Sequence, residues 1–368
     1  MPPPSRRITL EFQDAADDAA PRRDLSVVLQ IGDDLWLATD ESASLERLSP
    51  DGEDRYARHQ RFPLAHYVDL PAGPDDEVDI EGMSFDGRSL WIVGSHSARR
   101  GKADAAGTHP RRELKRLARV RRSGNRYLLA RIPLTADPAR PDAEAFVPCE
   151  RARDSRPDAP AAARLVAGKR TSALRRALRD DEHLAAYLDI PSKDNGFDVE
   201  GLAVLDGRVF VGLRGPVVSG WAVILELEVE DAGRGRLALA PVGRKGRPYR
   251  KHLLDLRGTG VREISADGDA LLVLAGPTMQ LDGDAALFRW TMPPAGKRGD
   301  TLTGRDALPR LLELPYGRRD EESVDHPEGL TVLHRGRAPR ELLVAYDSPS
   351  DDRRVGRSSI ALDVFALP

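Results

Sequence analysis

The 368-residue sequence predicts an all-β protein, because one pattern of two β-strands joined by a tight turn recurs along it. In its clearest form the pattern is a Glu-Gly pair, an alternating apolar run, a Gly-containing turn and a second apolar run. Three copies have this form: DIEGMSFDGRSLWIVGS from Asp79, DVEGLAVLDGRVFVGLRG from Asp198 and HPEGLTVLHRGRAPRELLVAYDS from His326. Two copies are looser: DLSVVLQIGDDLWLATDE from Asp24 and VREISADGDALLVLAGP from Val261. A repeat of this length predicts a fold built from similar units.

Each unit is expected to contain four strands. The first two form a hairpin, since Asp-Gly turn signals follow the first strand at Asp86, Asp206 and Asp267. Third strands are predicted at Leu45–Leu48, Tyr127–Leu134, Trp221–Val229, Ala286–Trp290 and Ile360–Ala366. Fourth strands are predicted in HYVDLP from His66, AYLDIP from Ala186, HLLDLRG from His252 and RLLELPYG from Arg310. Four strands per unit are typical of a propeller blade.

These units predict a five-bladed β-propeller that forms one domain over residues 1–368. Ile8–Phe12 has the fourth-strand pattern, and we expect it to pair beside Ile360–Ala366 and complete the last blade. Such closure removes the free edges of an open array of sheets. A six-bladed version would need one more blade within an insertion. Trp36 and Trp91 lie in second strands, where they are expected to pack between blades.

Two partly helical insertions interrupt the repeat, at about 97–126 and 135–185. The first contains HPRRELKRLARVRR, where Leu114, Leu117 and Val120 recur at helical spacing among basic residues. The second ends in a leucine-containing helical pattern with Thr171 as the expected N-cap. Both insertions are expected on the rim, as lids or interaction surfaces.

Composition excludes some partners. A net charge of -3 gives no overall field that would attract nucleic acid or an anionic membrane, and the basic insertion has no interleaved aromatic residues. The single cysteine, Cys149, forms no internal disulfide, and no apolar segment resembles a signal peptide or a membrane span. We therefore expect a cytoplasmic protein without nucleic-acid or membrane partners. The oligomeric state does not follow from the sequence.

The first strand of each blade lines the channel of a propeller, so one repeated position faces a shared axis. The aligned residues at this position are Ser26, Glu81, Glu200, Glu263 and Glu328. Converging carboxylates raise one another's pKa, and a bound cation relieves this repulsion. Oxygen ligands without His or Cys favour calcium over zinc. Three alternatives stay open: pairing of the glutamates with nearby arginines, another ion, and Ser265 instead of Glu263 on the inward face.

The Glu-Gly repeats, together with GLRGP from Gly212, resemble a family of bacterial propellers classed as a domain of unknown function, over nearly the whole chain. DVEGLAVLDGRVFVGLRG is more loosely similar to phytase-like esterase propellers. Ser and Glu at one inner position of five blades resemble the calcium-activated nucleotidases of the apyrase family. That resemblance implies that Ser26, Glu81, Glu200 and Glu328 hold calcium, whereas Glu263 departs from the pattern.

A substrate site is expected where the second strands end, because the repeats diverge there. The candidate catalytic residues are Asp40, His96 and Asp347, and the candidate substrate-binding residues are Arg99, Arg100 and Arg214. Arginine forks bind phosphate in bidentate fashion, and a carboxylate can orient water as a general base. Each residue also has a structural interpretation: Arg214 neutralises Glu200, His96 is a hydrogen-bonded histidine, and the aspartates satisfy turn amides.

Three functions therefore compete. The first is a calcium-dependent hydrolase of phosphate esters or anhydrides that acts on an anionic small molecule. The second is a non-enzymatic binding or scaffold propeller with structural calcium, and the third is an ester or lactone hydrolase. The fold alone does not choose between them. A basic mouth favours the first function, a plugged channel with an apolar rim patch the second, and an apolar mouth with an open metal position the third.

Overall fold

The structure is a computed structural model. It describes residues 3–13, 24–39, 42–104, 109–151, 159–279, 283–296, 299–317, 324–334 and 340–368. Most of the ordered elements are β-strands, which confirms the all-β prediction. Over these ranges no helix is long and apolar enough to cross a membrane.

Over the described residues, five antiparallel units follow one another along the chain, and each begins with two paired strands that are consecutive in the sequence. We call the first strand of each unit its inner strand. The inner strands are β2 (Leu25–Ile31), β6 (Ile80–Phe85), β13 (Asp198–Leu205), β19 (Gly260–Asp267) and β24 (His326–Leu333). The second strands are β3 (Asp34–Thr39), β7 (Ser89–Gly94), β14 (Arg208–Val218), β20 (Ala270–Gly276) and β25 (Glu341–Asp347).

A third and an outer strand complete each unit. The third strands are β4 (Ser44–Pro50), β10 (Leu129–Ala136), β15 (Trp221–Leu227), β21 (Ala285–Thr291) and β27 (Ser359–Ala366). The outer strands are β5 (Arg55–Pro63), β12 (Ala163–Leu165), β18 (Arg250–Leu254), β23 (Arg310–Leu314) and β1 (Arg6–Glu11). Shorter strands are β8 (Arg99–Arg100), β9 (Val120–Arg121), β11 (Phe146–Pro148), β16 (Val229–Asp231), β17 (Arg236–Leu239), β22 (Thr301–Thr303) and β26 (Arg354–Val355).

The inner strands form a closed ring. β2 contacts β6, β6 contacts β13, β13 contacts β19, β19 contacts β24, and β24 contacts β2. Apolar clusters fill the space between neighbouring units, as expected for sheets that pack face to face. Trp36 packs with Ile92 between the first two units, and Trp91 packs with Val211 between the next two. The arrangement is propeller-like, and both tryptophans lie in its core.

The N-terminal strand joins the two ends of this ring. β1 pairs with β27 in antiparallel register, with Ile8 opposite Leu362, as the sequence predicts. β1 also pairs with β5 in parallel register, with Leu10 opposite Tyr56. The first and fifth units therefore belong to one continuous sheet, and the outer edges of both are covered where they meet.

Two of the five predicted fourth strands, which are the outer strands of the structure, are wrong. The segments from His66 and Ala186 contain 3₁₀ turns at Leu64–His66 and Ala185–Tyr187, and the outer strands there are β5 and β12. The apolar residues that suggested a strand from His66, Val68 and Leu70, are buried in the core beneath the connection to the next inner strand. One-sided burial of a loop thus produces an alternation like that of a strand.

Both insertions contain the expected helices, α1 (Pro110–Leu117) and α2 (Ala173–Ala177). The N-cap of α2 is Ser172 rather than Thr171, since the Ser172 hydroxyl accepts a hydrogen bond from the Arg175 amide at 3.2 Å. The second insertion is more than a lid, because it supplies outer strand β12 and buries Leu174 and Leu178 between units.

Candidate functional site

The inner strands begin, and the second strands end, on one face of the ring, which we call the mouth face. Register shows this directly: Ile80 lies opposite Gly94, and His326 lies opposite Asp347. A β-bulge interrupts the pairing of every inner strand close to this face. A bulge turns the extra residue away from the regular ladder and re-aims its side chain. Five re-aimed side chains thus lie around the ring at one level.

The residues at the bulges form what we call the bulge ring. Its members are Ser26, Glu81, Glu200, Arg262 and Glu328. The fourth member is a correction, because the sequence alignment put Glu263, or alternatively Ser265, at this position. In the structure Glu263 pairs with Leu274, and Arg262 is the residue between the paired positions Val261 and Glu263. The ring therefore contains its own cation.

Glycine after the bulge explains why the motif reads Glu-Gly. A Cβ on Gly82 would lie 2.7 Å from the Leu202 amide nitrogen of the next inner strand, and a Cβ on Gly329 would lie 3.0 Å from that of Val28. Gly201 has a φ of +112°, which side-chain-bearing residues rarely adopt. These glycines let neighbouring inner strands approach closely, and so bring the bulge residues together.

Glu263 faces the seam between the third and fourth units instead of the axis. It is buried, and its Oε1 accepts hydrogen bonds from the amides of Ile264 (2.8 Å) and Leu202 (3.4 Å). Burial raises the pKa of Glu263 well above its ordinary value, against the effect of these two amides. Its role is to join two inner strands.

Two arginines neutralise the carboxylates of the bulge ring. Arg262 Nε lies 3.1 Å from Glu200 Oε2, and Arg262 also forms an ion pair with Glu328. Arg214, within β14, lies 2.7 Å from Glu200 Oε1 and also pairs with Asp198. Burial raises the pKa of Glu200 to about 7, because it outweighs the effect of both arginines.

Glu81 belongs to the same charge cluster. Burial lowers the pKa of Arg214, but Asp198, Glu200 and Glu81 together outweigh burial and shift it upward. Glu200, Glu328 and Glu81 thus act on two shared guanidinium groups. Pairing of the glutamates with nearby arginines is one of the alternatives to calcium that the sequence left open.

The residues of the bulge ring do not fit calcium. Calcium takes six to eight oxygen ligands, whereas the oxygens of Glu200 face two guanidinium groups. The Ser26 hydroxyl donates a hydrogen bond to the Ile80 carbonyl at 2.6 Å. Over the described ranges no three His, Cys, Asp or Glu side chains are grouped so as to hold a metal ion. Calcium stays a prediction that the donor set does not favour.

Each predicted substrate-binding arginine is paired with carboxylates. Arg99 lies 2.8 Å from Glu77 and 3.0 Å from Asp79. Arg100 lies 2.7 Å from Asp194, and Arg214 pairs within the cluster described above. A ligand would have to displace these pairs in order to bind the guanidinium groups.

The candidate catalytic residues do not come together. His96 is fully buried, with Nε2 3.2 Å from the Leu128 carbonyl and Nδ1 3.3 Å from the Ser172 hydroxyl. Burial, with a contribution from Arg175, lowers the pKa of His96 to about 3. It is therefore neutral and closed off from the mouth face. Asp347 does lie on that face, opposite His326, while Asp40 falls outside the described residues.

Lys193 is a mouth-face residue that the sequence reasoning missed. It lies in a 3₁₀ turn, Ser192–Asp194, between the second insertion and β13. Lys193 is exposed to solvent, although neighbouring protein groups partly desolvate its ammonium group. Burial lowers its pKa, and repulsion by Arg214 and Lys102 lowers it further, whereas Asp347 and Glu200 act in the opposite direction. The only feature of the sequence that could have indicated Lys193 is its position shortly before the repeat that begins at Asp198.

The first insertion, residues 97–126, forms what we call the basic arm. It contains eleven Lys or Arg residues and two Asp or Glu residues, against a net charge of -3 for the whole chain. Helix α1 in this arm buries none of its residues. Leu114, Leu117 and Val120 are exposed, and they are half of the exposed large apolar residues in the described ranges.

Contacts hold the basic arm against the mouth face. Arg100 donates to the Leu117 carbonyl at 2.7 Å, which ties β8 to the end of α1. The same side chain reaches Asp194 in the turn that carries Lys193. Arg122 lies 3.0 Å from Asp189. The described residues of the arm are thus held at the rim by contacts on both sides of α1.

Residues 24–363 match the profile of the family described as Protein of unknown function (DUF3616). The chain belongs to this family. The family resemblance noted in the sequence is therefore confirmed. No curated protein matches the chain.

Solved structures give distant likenesses. Glutaminyl cyclase from Myxococcus xanthus has 9% identity and a TM-score of 0.39, with 100% of both chains covered. The PQQ-bound aldose sugar dehydrogenase from Streptomyces coelicolor has 13% identity and a TM-score of 0.35, covering 99% of this chain and 100% of that one. A putative 6-phosphogluconolactonase from Bacteroides uniformis has 12% identity and a TM-score of 0.30, covering 92% and 70%. None of these likenesses assigns a function to this chain.

Proposed function

We propose that the protein is a five-bladed, non-enzymatic binding propeller whose basic arm docks an acidic segment of another protein. The blade count rests on the five inner strands that contact one another in a closed ring. The observation that carries the function is the basic arm itself, where a large local positive charge coincides with exposed apolar side chains. Exposed apolar groups rimmed by charge mark interaction surfaces.

The closed state of the bulge ring supports binding rather than chemistry. Arg262 and Arg214 bridge the carboxylates that face the axis, so these groups are already paired. His96, one of the candidate catalytic residues, is buried away from the mouth face. A plugged axis with an apolar rim patch is the combination that the sequence associated with a binding module.

An acidic protein segment fits the arm better than nucleic acid or a membrane. Residues 97–126 contain no Phe, Tyr or Trp, which are the side chains that stack on bases and anchor helices at membrane interfaces. Leu114 and Leu117, three residues apart on α1, offer a narrow apolar strip flanked by cations. An amphipathic acidic helix has matching chemistry on both counts.

The test measures binding of a labelled acidic peptide, with Glu and Leu at helical spacing, by fluorescence anisotropy. Each leucine that is buried on binding contributes about 1.5–3 kcal/mol, so Leu114→Ser with Leu117→Ser should weaken binding by at least about tenfold. Arg112→Glu should also weaken it, and more strongly at low salt.

Two matched variants serve as controls. Leu302→Ser removes a leucine that is 65% exposed outside the arm, compared with 66% for Leu114. Arg244→Glu reverses an exposed charge outside the arm. Neither should change the affinity for the peptide. Equal loss in arm and control variants, or binding to phosphatidylserine vesicles or duplex DNA with no binding to the peptide, would overturn the proposal.

A second candidate function is hydrolysis of phosphate esters or anhydrides at the mouth face. Lys193 favours it, because crowded cations at an exposed position bind phosphate, and Asp347 lies close enough to act on its pKa. The test incubates the protein with a nucleoside triphosphate and an aryl phosphate, in calcium and in chelator. Carboxylic esters and lactones complete the panel. Turnover that Lys193→Ala abolishes would favour this candidate over the binding module.

A further inference from the structure

We infer that Arg262 is a built-in cation that takes the place of a metal ion within the bulge ring, so that the protein needs no metal for its stability. The inference goes beyond the proposed binding function and does not depend on it. Its basis is that a guanidinium stands where the repeat pattern has carboxylates in three other units.

The Arg262 side chain bridges two carboxylates, as a bound ion would. It belongs to the fourth unit, and its side chain contacts Glu200 in the third unit and Glu328 in the fifth. The Arg262 side chain is only 3% exposed. A buried cation between two carboxylates on neighbouring strands joins the three units electrostatically, as a bound metal ion would.

Charge balance explains why such a group is required. Glu81, Glu200 and Glu328 face the same axis, and buried like charges destabilise a fold unless a cation compensates for them. Arginine is always protonated and has a fork of donors that matches carboxylate oxygens. A metal ion at the same place would have to displace both Arg262 and Arg214 from Glu200.

The wild-type protein provides the first test and requires no variant. Thermal melting is measured in calcium, in terbium and in chelator, together with a metal analysis of protein purified without added ions. We expect the same melting temperature in all three conditions and no stoichiometric metal. A ligand that binds only the folded state raises the melting temperature, so a clear rise with calcium, or a retained metal ion, would overturn the inference.

The second test is chemical rescue. Arg262→Gln removes the charge, and its melting temperature in chelator should fall by several degrees. Calcium or terbium should restore part of this loss, because Glu328 then lacks its guanidinium partner and Arg214 alone faces Glu200 and Glu81. Arg262→Lys retains the charge, so it should melt closer to the wild type without added ions.

Arg47→Gln is the matched control. Arg47 is buried and faces two carboxylates, with Nη2 2.7 Å from Asp137 and Nε 3.5 Å from Asp34, but it lies outside the ring. This variant should be destabilised without rescue by either ion. Equal rescue of both variants, or no rescue of Arg262→Gln, would show that Arg262 does not stand in for a metal.

Discussion

The bulge ring and the basic arm use the same residue types with opposite results. At the ring, Arg262 and Arg214 both pair with Glu200, and Arg262 also pairs with Glu328, in largely buried contacts. In the arm, eleven basic residues stand against two acidic ones, and most of them are exposed. Paired, largely buried charge holds units of the fold together. The exposed charge of the arm is available to a partner, apart from arginines such as Arg99 and Arg100 that pair with carboxylates outside the arm.

The largest expected effect on stability comes from removing an arginine that pairs with the bulge ring. Arg214→Gln should lower the free energy of unfolding by about 3–5 kcal/mol, since it leaves Asp198 and Glu200 buried without their shared partner. Urea denaturation measures this. Arg112→Gln in the arm is the comparison and should change stability by less than about 0.5 kcal/mol. Similar losses in both would break the distinction between ring and arm.

Close approach of inner strands gives the next effect. Gly82→Ala places a Cβ 2.7 Å from the Leu202 backbone nitrogen, and overpacking of this kind costs about 1–3 kcal/mol. Gly299→Ala, with no atom within 4 Å of the new Cβ, should cost much less. The two denaturation midpoints make the comparison. A Gly82→Ala protein as stable as Gly299→Ala would show that the ring does not depend on strand approach.

The pH dependence of stability tests whether His96, which lies next to the basic arm, stays neutral in the folded protein. His96, the residue just before the arm, has its pKa lowered to about 3, so between pH 6.5 and 3 the unfolded chain takes up a proton that the folded protein does not bind. Stability is therefore lost as pH falls, by about 2 kcal/mol from pH 7.5 to 5 for this group. His96→Asn should flatten the profile over this window. Parallel profiles would mean that His96 becomes charged in the folded protein.

The smallest effect is expected at the apolar strip. Leu114→Ser with Leu117→Ser should leave the melting temperature nearly unchanged, because both side chains are exposed. We expect the two measurements on this variant to differ: the melting temperature stays the same, whereas binding of the acidic peptide is weakened. A large drop in stability would show that the strip packs against the protein in solution.

The repeat made much of the fold predictable. Asp-Gly turns located the hairpins, and the N-terminal strand was assigned to the end of the ring because its pattern matched a missing outer strand. Val68 and Leu70 led to the wrong prediction of a strand from His66. A loop that packs on the core with one side has the same alternation of apolar and polar residues as a strand. Burial depends on the whole fold, and local pattern reports it only indirectly.

At the site, a shift of one residue decided the chemistry. The fourth copy lacks the glycine that marks the position elsewhere, so Glu263 was aligned by residue type, whereas the bulge aligns Arg262. Moving a strand residue by one place turns it to the opposite face. The reversal from carboxylate to guanidinium therefore lay beyond sequence comparison. Arg214 could be foreseen only as one of two alternatives, a phosphate-binding residue or the partner of Glu200, and the structure pairs it with Asp198 and Glu200 of its own hairpin.

The strand that closes the ring also imposes an order of events on the growing chain. Ile8 is synthesised first, and its partner Leu362 follows only after roughly 20–70 s of translation. Tyr56 arrives far sooner, and β5 offers the parallel edge on which Leu10 rests in the finished protein. The nascent first strand therefore has a native resting place while it waits for its antiparallel partner. Early pairing with β5 would cover an edge that is otherwise prone to aggregation, through a contact that the folded protein retains.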